Sequence, residues 1–382
     1  MHFRLSDEQR ERFSHIRSFA SEVLSASADR RIEESRFDRA VWDRAAELGL
    51  AGLPIPEEWG GSGLGALDTM IGVEALGQGC TDMGLVFSLC AHMFACAVPV
   101  WRYGSPDMHR RWLRDLATGR AIAANAITEP ETGSDAYAMK TKAWREGDEY
   151  VIEGQKCFAT NAPVADVFVA YARTDPKQAF FGISCFLVPR DAPGLTVADG
   201  GAKTGLGTSP WGTLYLDGCR VPASARVGAE GVGAAIFHDS MIWERGCLFA
   251  AYVGAMQRVL DQCVDHSRER RQFGQPICRN QSVSNMLVDF KLRLETSRLL
   301  LYRAGWLYDE GEPYEEAIAQ SKLWISESAV RCGLDAIQVF GGAGVSSATG
   351  VDRLLLDSLP SRIFSGTSEI QREFIARQMG LR

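Results

Sequence analysis

A carboxylate stands in this sequence where an apolar side chain is expected. Leu248, Tyr252, Met256, Val259 and Cys263 recur at steps of four and three, the stripe of a helix buried along one face. One turn back along that stripe is Glu244. The helix predicted over 232–271 puts this glutamate more than two turns inside. That is too deep for a partner of the N-terminal dipole, whose influence fades within the first turn. A carboxylate so placed must be paired, protonated or put to use. The neighbouring Arg245 offers the ordinary explanation, an ion pair; a base of shifted proton affinity is the alternative.

Other stretches carry polar groups at turns and element ends. Ala126-Ile127-Thr128-Glu129-Pro130-Glu131-Thr132-Gly133-Ser134-Asp135 sets backbone donors beside hydroxyls between Pro and Gly turns. This suits a planar heterocycle bearing a phosphate, although an ordinary polar turn is the commoner use of such residues. In Lys156-Cys157-Phe158-Ala159-Thr160-Asn161, Phe158 and Thr160 are two apart and share one face of a predicted strand. That is either an aromatic wall with one hydroxyl, fit for a flavin, or a core phenylalanine. Arg268, Arg270 and Arg271, ahead of Phe273, suit a helix C-terminus and could also reach a pyrophosphate from a neighbouring subunit. Gln338-Val339-Phe340-Gly341-Gly342 ends a helix with glycines that allow close backbone approach. Arg362 to Glu369 enters the last helix with Thr367 or Ser368 as cap, and a helix N-terminus is a ready anion site.

The elements that must position these groups fall into three blocks. From Ser6 to Leu116 the pattern is helical, with helices over 36–50, 67–77 and 85–98, the last apolar nearly all round. Gly61-x-Gly63-x-x-Ala66 formally matches a dinucleotide fingerprint, but Pro54 and Pro56 stand where its strand would be. Strand-like stretches follow at 150–158, 166–172, 181–188 and 213–216, an antiparallel β-domain. Helices return over 232–271, 282–307, 314–340 and 368–379, joined by short loops, which makes a bundle. The expected domains are 1–118, 119–230 and 231–382. At 382 residues, 46% of them hydrophobic, the chain can build a large core. A net charge of -7 supplies no basic field, so nucleic acid is excluded as the main partner. The ten cysteines never form C-x-x-C and read as core residues in a reducing compartment. The start, Met1 to Leu5, leads straight into a Ser6-to-Gln9 capping box without a signal-peptide core. No run approaches the roughly 18 apolar residues of a membrane span. A soluble, cytoplasmic protein is expected.

In order and spacing along almost the whole chain, these segments resemble the acyl-CoA dehydrogenase family. The resemblance implies an α+β fold: an N-terminal α-helical domain, a middle antiparallel β-domain and a C-terminal four-helix bundle. It implies an FAD-dependent enzyme, homotetrameric, that oxidises the α,β bond of an acyl thioester and passes the electrons to an electron-transfer flavoprotein or oxygen. By that likeness Ile127, Thr128 and Ser134 line the flavin or its phosphates, and Phe158 and Thr160 pack on its ring. Arg270, Phe273, Gln338 and Gly342 hold the pyrophosphate and adenine half across a subunit interface. Thr367 and Glu369 lie near the adenosine end, with Glu369 standing where many relatives carry Gln.

The departure from the common pattern is informative. Many relatives place the catalytic Glu directly before the Gly-Thr of the last motif, where this chain has Ser365, which cannot be the base. A minority branch, including isovaleryl-CoA dehydrogenases, carries it on the long helix before an Arg, as Glu244-Arg245 here. The likeness therefore makes Glu244 catalytic, with Arg245, Ser365 and Gly366 on the substrate side. Within the family, Gly79 to Phe87, Thr160 to Asp166, Trp243 to Ala251 and Ile363 to Thr367 look most like the prolyl-carrier-protein dehydrogenases. Those oxidise a prolyl thioester on a carrier protein to the pyrrole-2-carboxyl thioester, in pyrrole and antibiotic biosynthesis. The alternatives are a short- or branched-chain acyl-CoA dehydrogenase of catabolism acting on free CoA, and a flavin-binding scaffold without dehydrogenase activity. Retention of Glu244 argues against the last.

Overall fold

Ser6 opens the first helix, Asp7–Phe19, with a reciprocal cap: its hydroxyl accepts from the Gln9 N–H, while the Gln9 side chain accepts from the Ser6 N–H. The computed structural model describes residues 4–381, so Met1 to Phe3 of the predicted leading segment lie outside the described residues. The helices predicted over 36–50 and 67–77 are Arg39–Glu47, capped by Asp38, and Ala66–Gly79. The Gly61-x-Gly63-x-x-Ala66 run lies in turns between a 3-10 turn, Glu57–Trp59, and that second helix, with no strand before it.

The apolar helix predicted over 85–98 runs further, Met83–Tyr103, with a π turn at Met93–Ala97 just ahead of Pro99. Proline lacks the N–H for the bond one turn back, and the widened turn accommodates it. By length and composition this helix could cross a membrane, which corrects the reading that no run comes close; 94% of its most apolar stretch is buried inside the fold. Asp82, at its start, accepts from the Leu85 N–H and pairs with Arg31 at 3.2 Å, both side chains buried.

The β layer runs in the order β6 (Leu195–Asp199), β7 (Trp211–Pro222), β3 (Glu149–Thr160), β2 (Lys142–Glu146), β4 (Val167–Arg173), β5 (Ile183–Pro189), β8 (Arg226–Val227). It is mainly antiparallel. The exceptions both involve β4: β1 (Ala123–Ala126) pairs with it in parallel, Ala123 opposite Val167 and Asn125 opposite Val169, and β2 joins it in parallel where Lys142 meets Arg173. β4 and β5 are buried on both faces: Val167, Val169, Tyr171 and Cys185 join the helical core, while Phe168, Ala170, Phe186 and Val188 pack in a second core within the β layer. Two-sided burial is why these strands read as unbroken apolar runs. β2 and β6 have mostly exposed or half-buried residues, so they give little apolar signal.

The long helix consists of Gly233–Trp243, a π turn Glu244–Leu248, and Ala250–Glu269. It lies backbone to backbone against Ala66–Gly79. A Cβ on Gly77 would fall 2.1 Å from the carbonyl oxygen of Ala251, and one on Gly254 2.1 Å from that of Glu74. Helices Gln281–Asp309, Glu315–Phe340 and Ser368–Gln378 complete the bundle. A short helix, Arg353–Ser358, adds to the predicted set. Asp309 reaches back to accept from the Ala66 and Leu67 N–H groups at 2.7 and 2.9 Å, closing the otherwise open start of that helix.

Candidate active site

Glu244 is the first residue of the π turn in the long helix. Such turns carry an extra residue and recur at functional sites, because they push a side chain out of the regular stripe. Its carboxylate accepts a hydrogen bond from the Ser365 hydroxyl, and the Arg245 Nε donates to the Ser365 carbonyl at 2.7 Å. The long helix and the turn before the last helix are thus latched together through consecutive residues on one side and a single serine on the other. That turn needs unusual backbone: Ser365 has φ +55° and Gly366 φ +89°. A Cβ on Gly366 would fall 2.8 Å from Gln371 Nε2 and 3.3 Å from Arg245 Nη2. Ser365 therefore occupies a left-handed conformation that costs a non-glycine residue about 1 kcal/mol or more.

The ion pair offered as the ordinary explanation is not formed: among the described residues no salt bridge joins Arg245 to Glu244. Burial pushes the proton affinity of Glu244 up, while the Ser365 hydrogen bond and the charges of Arg245 and Lys322 pull it part of the way back. Around it the walls are apolar. Phe364 packs on Phe87 with ring centroids 4.7 Å apart and on Phe249 at 5.6 Å. Cys90 and Cys96 are buried, their thiols pushed up by burial and then by Glu244.

On the β side, Phe158 is 62% exposed and has φ +57°. It sits in a bulge of β3, where the register with β7 shifts between Lys156 and Ala159. Simple alternation, from which Phe158 and Thr160 were read onto one face, is broken there; the bulge, not the period of two, aims Phe158 outward. Its ring stacks on Trp211 at 5.2 Å and 26°. Thr128 and Thr160 are half-buried, Ile127 is buried and Ser134 is exposed. An outward aromatic plate in strained backbone, with hydroxyls on neighbouring segments, fits a flat heteroaromatic ring such as a flavin.

That segment is clamped from beneath. Lys156, fully buried, donates to the Ile127 carbonyl at 3.0 Å and pairs with Glu129 at 2.8 Å. Glu129 also accepts from the Lys140 and Thr141 N–H groups, and the Cys157 N–H donates to the Thr128 carbonyl at 2.8 Å. Burial brings the Lys156 ammonium down to about 8 against the pull of Glu129. Burial would raise Glu129, but Lys156 and the Thr141 and Lys140 donors leave it below the usual carboxylate range.

The remaining predicted residues lie elsewhere. Arg270 ends the Ala250–Glu269 helix and is exposed; Phe273, at φ +51° in the following hairpin, is 96% exposed. Gln338 and Gly342 are exposed at the end of Glu315–Phe340. The two helix ends are joined by His266 stacked on Phe340 at 4.1 Å, so these four residues share one end of the bundle. Among the described residues no hydrogen bond or ring contact joins them to Phe158 or Thr160. Thr367, rather than Ser368, caps the last helix, accepting from the Ile370 N–H at 3.2 Å. Glu369 is exposed in its first turn.

The chain matches three family models end to end: the N-terminal domain of acyl-CoA dehydrogenase over residues 6–120, the middle domain over 124–219 and the C-terminal domain over 231–380. This chain belongs to the acyl-CoA dehydrogenase family. Among acyl-CoA dehydrogenase relatives it is 49% identical over 382 residues to an L-prolyl-[peptidyl-carrier protein] dehydrogenase of Serratia sp., covering 100% of this chain and 99% of that one. It is 47% identical over 383 residues to the enzyme of the same name from Pseudomonas fluorescens, covering both chains fully. The solved structure "PigA with FAD and proline" superposes with a TM-score of 0.98 at 48% identity, over 100% of each chain.

Sequence reasoning passes over three residues of this acyl-CoA dehydrogenase site. Glu129 and Lys156 are charges inside apolar strand patterns, a signal of the same kind as Glu244 on its helix. Trp211 carries no such signal, since nothing in the sequence shows that it meets Phe158.

Proposed function

We propose that this acyl-CoA dehydrogenase oxidises L-prolyl-S-carrier protein to pyrrolyl-2-carboxyl-S-carrier protein, with FAD, in natural-product biosynthesis. The observation that carries the chemistry is Glu244: a buried carboxylate of raised proton affinity, held by the Ser365 hydroxyl and not neutralised by an ion pair. The prolyl thioester is supported by the two L-prolyl-[peptidyl-carrier protein] dehydrogenase relatives, 47–49% identical over full length.

Glu244 removes the proton α to the thioester carbonyl, a task suited to a base whose proton affinity has been moved toward neutrality. The Ser365 hydroxyl orients the carboxylate, and Arg245 holds the Ser365 carbonyl so that the turn cannot swing away. Backbone N–H groups of the Ser365–Gly366 turn meet the thioester oxygen and stabilise the charge that develops there. Phe87, Phe249 and Phe364 keep water from the carboxylate. Bound FAD would supply the acceptor for the β-hydride; that removes two electrons and leaves a dehydroprolyl thioester, so the pyrrole requires a second two-electron oxidation, after the flavin has been reoxidised. Ile127, Thr128, Ser134, Phe158 and Thr160 hold its ring and near phosphate, and Thr367 and Glu369 its adenosine end. Arg270, Phe273, Gln338 and Gly342 reach the FAD of a neighbouring subunit in a homotetramer. A phenylalanine as exposed as Phe273 supports that reading, because a subunit interface would cover it.

The division into 1–118, 119–230 and 231–382, with Glu244 in the last part and the flavin wall in the middle one, belongs to the same proposal. So do reoxidation by an electron-transfer flavoprotein or oxygen, and cytoplasmic placement, which ten unpaired cysteines, nine of them buried, support. Anaerobic mixing tests the proposal. Prolyl-carrier protein should bleach the oxidised flavin band and isovaleryl-CoA should not. Bleaching by the CoA ester alone would move the protein to acyl-CoA catabolism, and bleaching by neither would remove both substrates.

A further inference from the structure

Lys322 lies within the Glu315–Phe340 helix, fully buried, with its ammonium 5.3 Å from the centre of the Phe249 ring. Among the described residues its Nζ has no hydrogen-bond partner. Phe249 directly follows the π turn, and its ring packs on Phe364, the residue before Ser365. A buried cation thus stands behind the aromatic floor of the Glu244 site. A buried ammonium without a protein acceptor is a cost to the fold, which a ring face offsets only in part. A methionine would fill the same space without that cost. The group that gains from the charge is Glu244, on which Arg245 and Lys322 both act to favour the ionised form.

We propose that Lys322 is a positioning residue for the dehydrogenation: its buried charge, held behind Phe249, keeps Glu244 ionised in a water-poor site and so ready to take the α-proton. This rests on Glu244 being the base. Several charged groups face the ammonium. Glu244 and Arg245 come from the π turn, Glu327 from its own helix, Glu369 from the last helix and Arg362 from the 3-10 turn Leu359–Arg362. Burial, then Arg245 and Arg362, bring Lys322 down to about 7, while Glu327 and Glu369 oppose them. The residue therefore carries its full charge in the acid range and about half of it near neutrality, so the charge is present where the base most needs help to ionise.

The test uses FAD-loaded wild type, Lys322→Met, Lys322→Arg and Glu244→Gln, following flavin reduction by the thioester that bleaches the wild-type flavin, from about pH 5.5 to about pH 9.5. Lys322→Met should move the acid limb up by about one pH unit, so that reduction is about tenfold slower below the limb and within about twofold of wild type near pH 9. Its flavin content should be unchanged and its Tm unchanged or raised, and Lys322→Arg should return the limb most of the way. An unmoved limb in Lys322→Met, with Glu244→Gln inactive, overturns the role of Lys322 and leaves the base assignment standing. A lowered Tm with equal loss at every pH overturns it too, marking a structural lysine. Activity in Glu244→Gln removes the base and the proposal together.

Discussion

Glu129 and Glu244 are both glutamates with almost no exposed surface, 5% and 8%, and the protein drives their proton affinities in opposite directions. Glu129 has a lysine at 2.8 Å and two backbone donors, which outweigh its desolvation. Glu244 has one hydroxyl, and its cations act without touching it. Burial alone does not mark a base. What separates the clamp from the site is whether a cation is bonded to the carboxylate or only near it. The first arrangement makes a fixed anion that braces the segment 127–129; the second leaves a group that can take a proton and lose it.

The largest expected effect breaks the contrast at the site. Glu244→Gln should retain FAD and assembly but lose substrate-dependent flavin reduction by about 10³-fold or more, read by anaerobic stopped flow. Near-normal turnover would sink the assignment. The same variant should be more stable than wild type at neutral pH and equal to it in acid. A folded-state proton affinity above the unfolded value makes the ionised carboxylate a cost that appears as pH rises from about 4.3 through its folded value.

Next comes the clamp. Lys156→Met leaves Glu129 buried without its cation and should cost about 3 to 5 kcal/mol, seen in denaturant melts, with loss of bound FAD. Adding Glu129→Gln should recover part of it, and a double variant no better than the single would mean that the pair is not coupled. The sign for Glu129 is opposite to that for Glu244: its contribution is present above about pH 4.3 and is lost as pH falls through its lower folded value. At the far end, Arg270→Ala should weaken FAD binding by about 1.5 to 3 kcal/mol, and unchanged flavin occupancy would count against its placement on the pyrophosphate.

The smallest effect sharpens the comparison. Ser365→Ala removes the hydrogen bond that does most to favour ionised Glu244, so the acid limb of turnover should rise by about one pH unit, at least as far as in Lys322→Met, while stability barely changes. A limb that falls would mean the serine does not stabilise the carboxylate.

What the sequence made legible is what local pattern encodes. Apolar stripes gave the bundle helices to within a turn, Ser6 announced its cap and the last cap was narrowed to Thr367 or Ser368, and Glu244 stood out because one wrong residue on a stripe is visible. The π turn beneath it was not, since an inserted residue alters the phase without altering the composition. Phe158 at positive φ carries none of the Gly or Asn signals that advertise such backbone. The parallel pairing of β1 with β4 and the hydrogen bond between Ser365 and Glu244 join residues far apart in the chain, and no local rule reaches across that distance.

The Asp309 cap has a consequence for how this chain is made. The carboxylate that closes the Ala66–Gly79 helix is 243 residues downstream of Ala66. Until that residue leaves the ribosome, the helix start has two bare N–H groups, and the face carrying Gly77 has no partner to touch. Contacts this remote in sequence form late. The first third of the protein must therefore wait, only partly built, for most of the polypeptide to be synthesised, and a fragment ending near residue 118 should behave as an opened, aggregation-prone species rather than as a small folded unit.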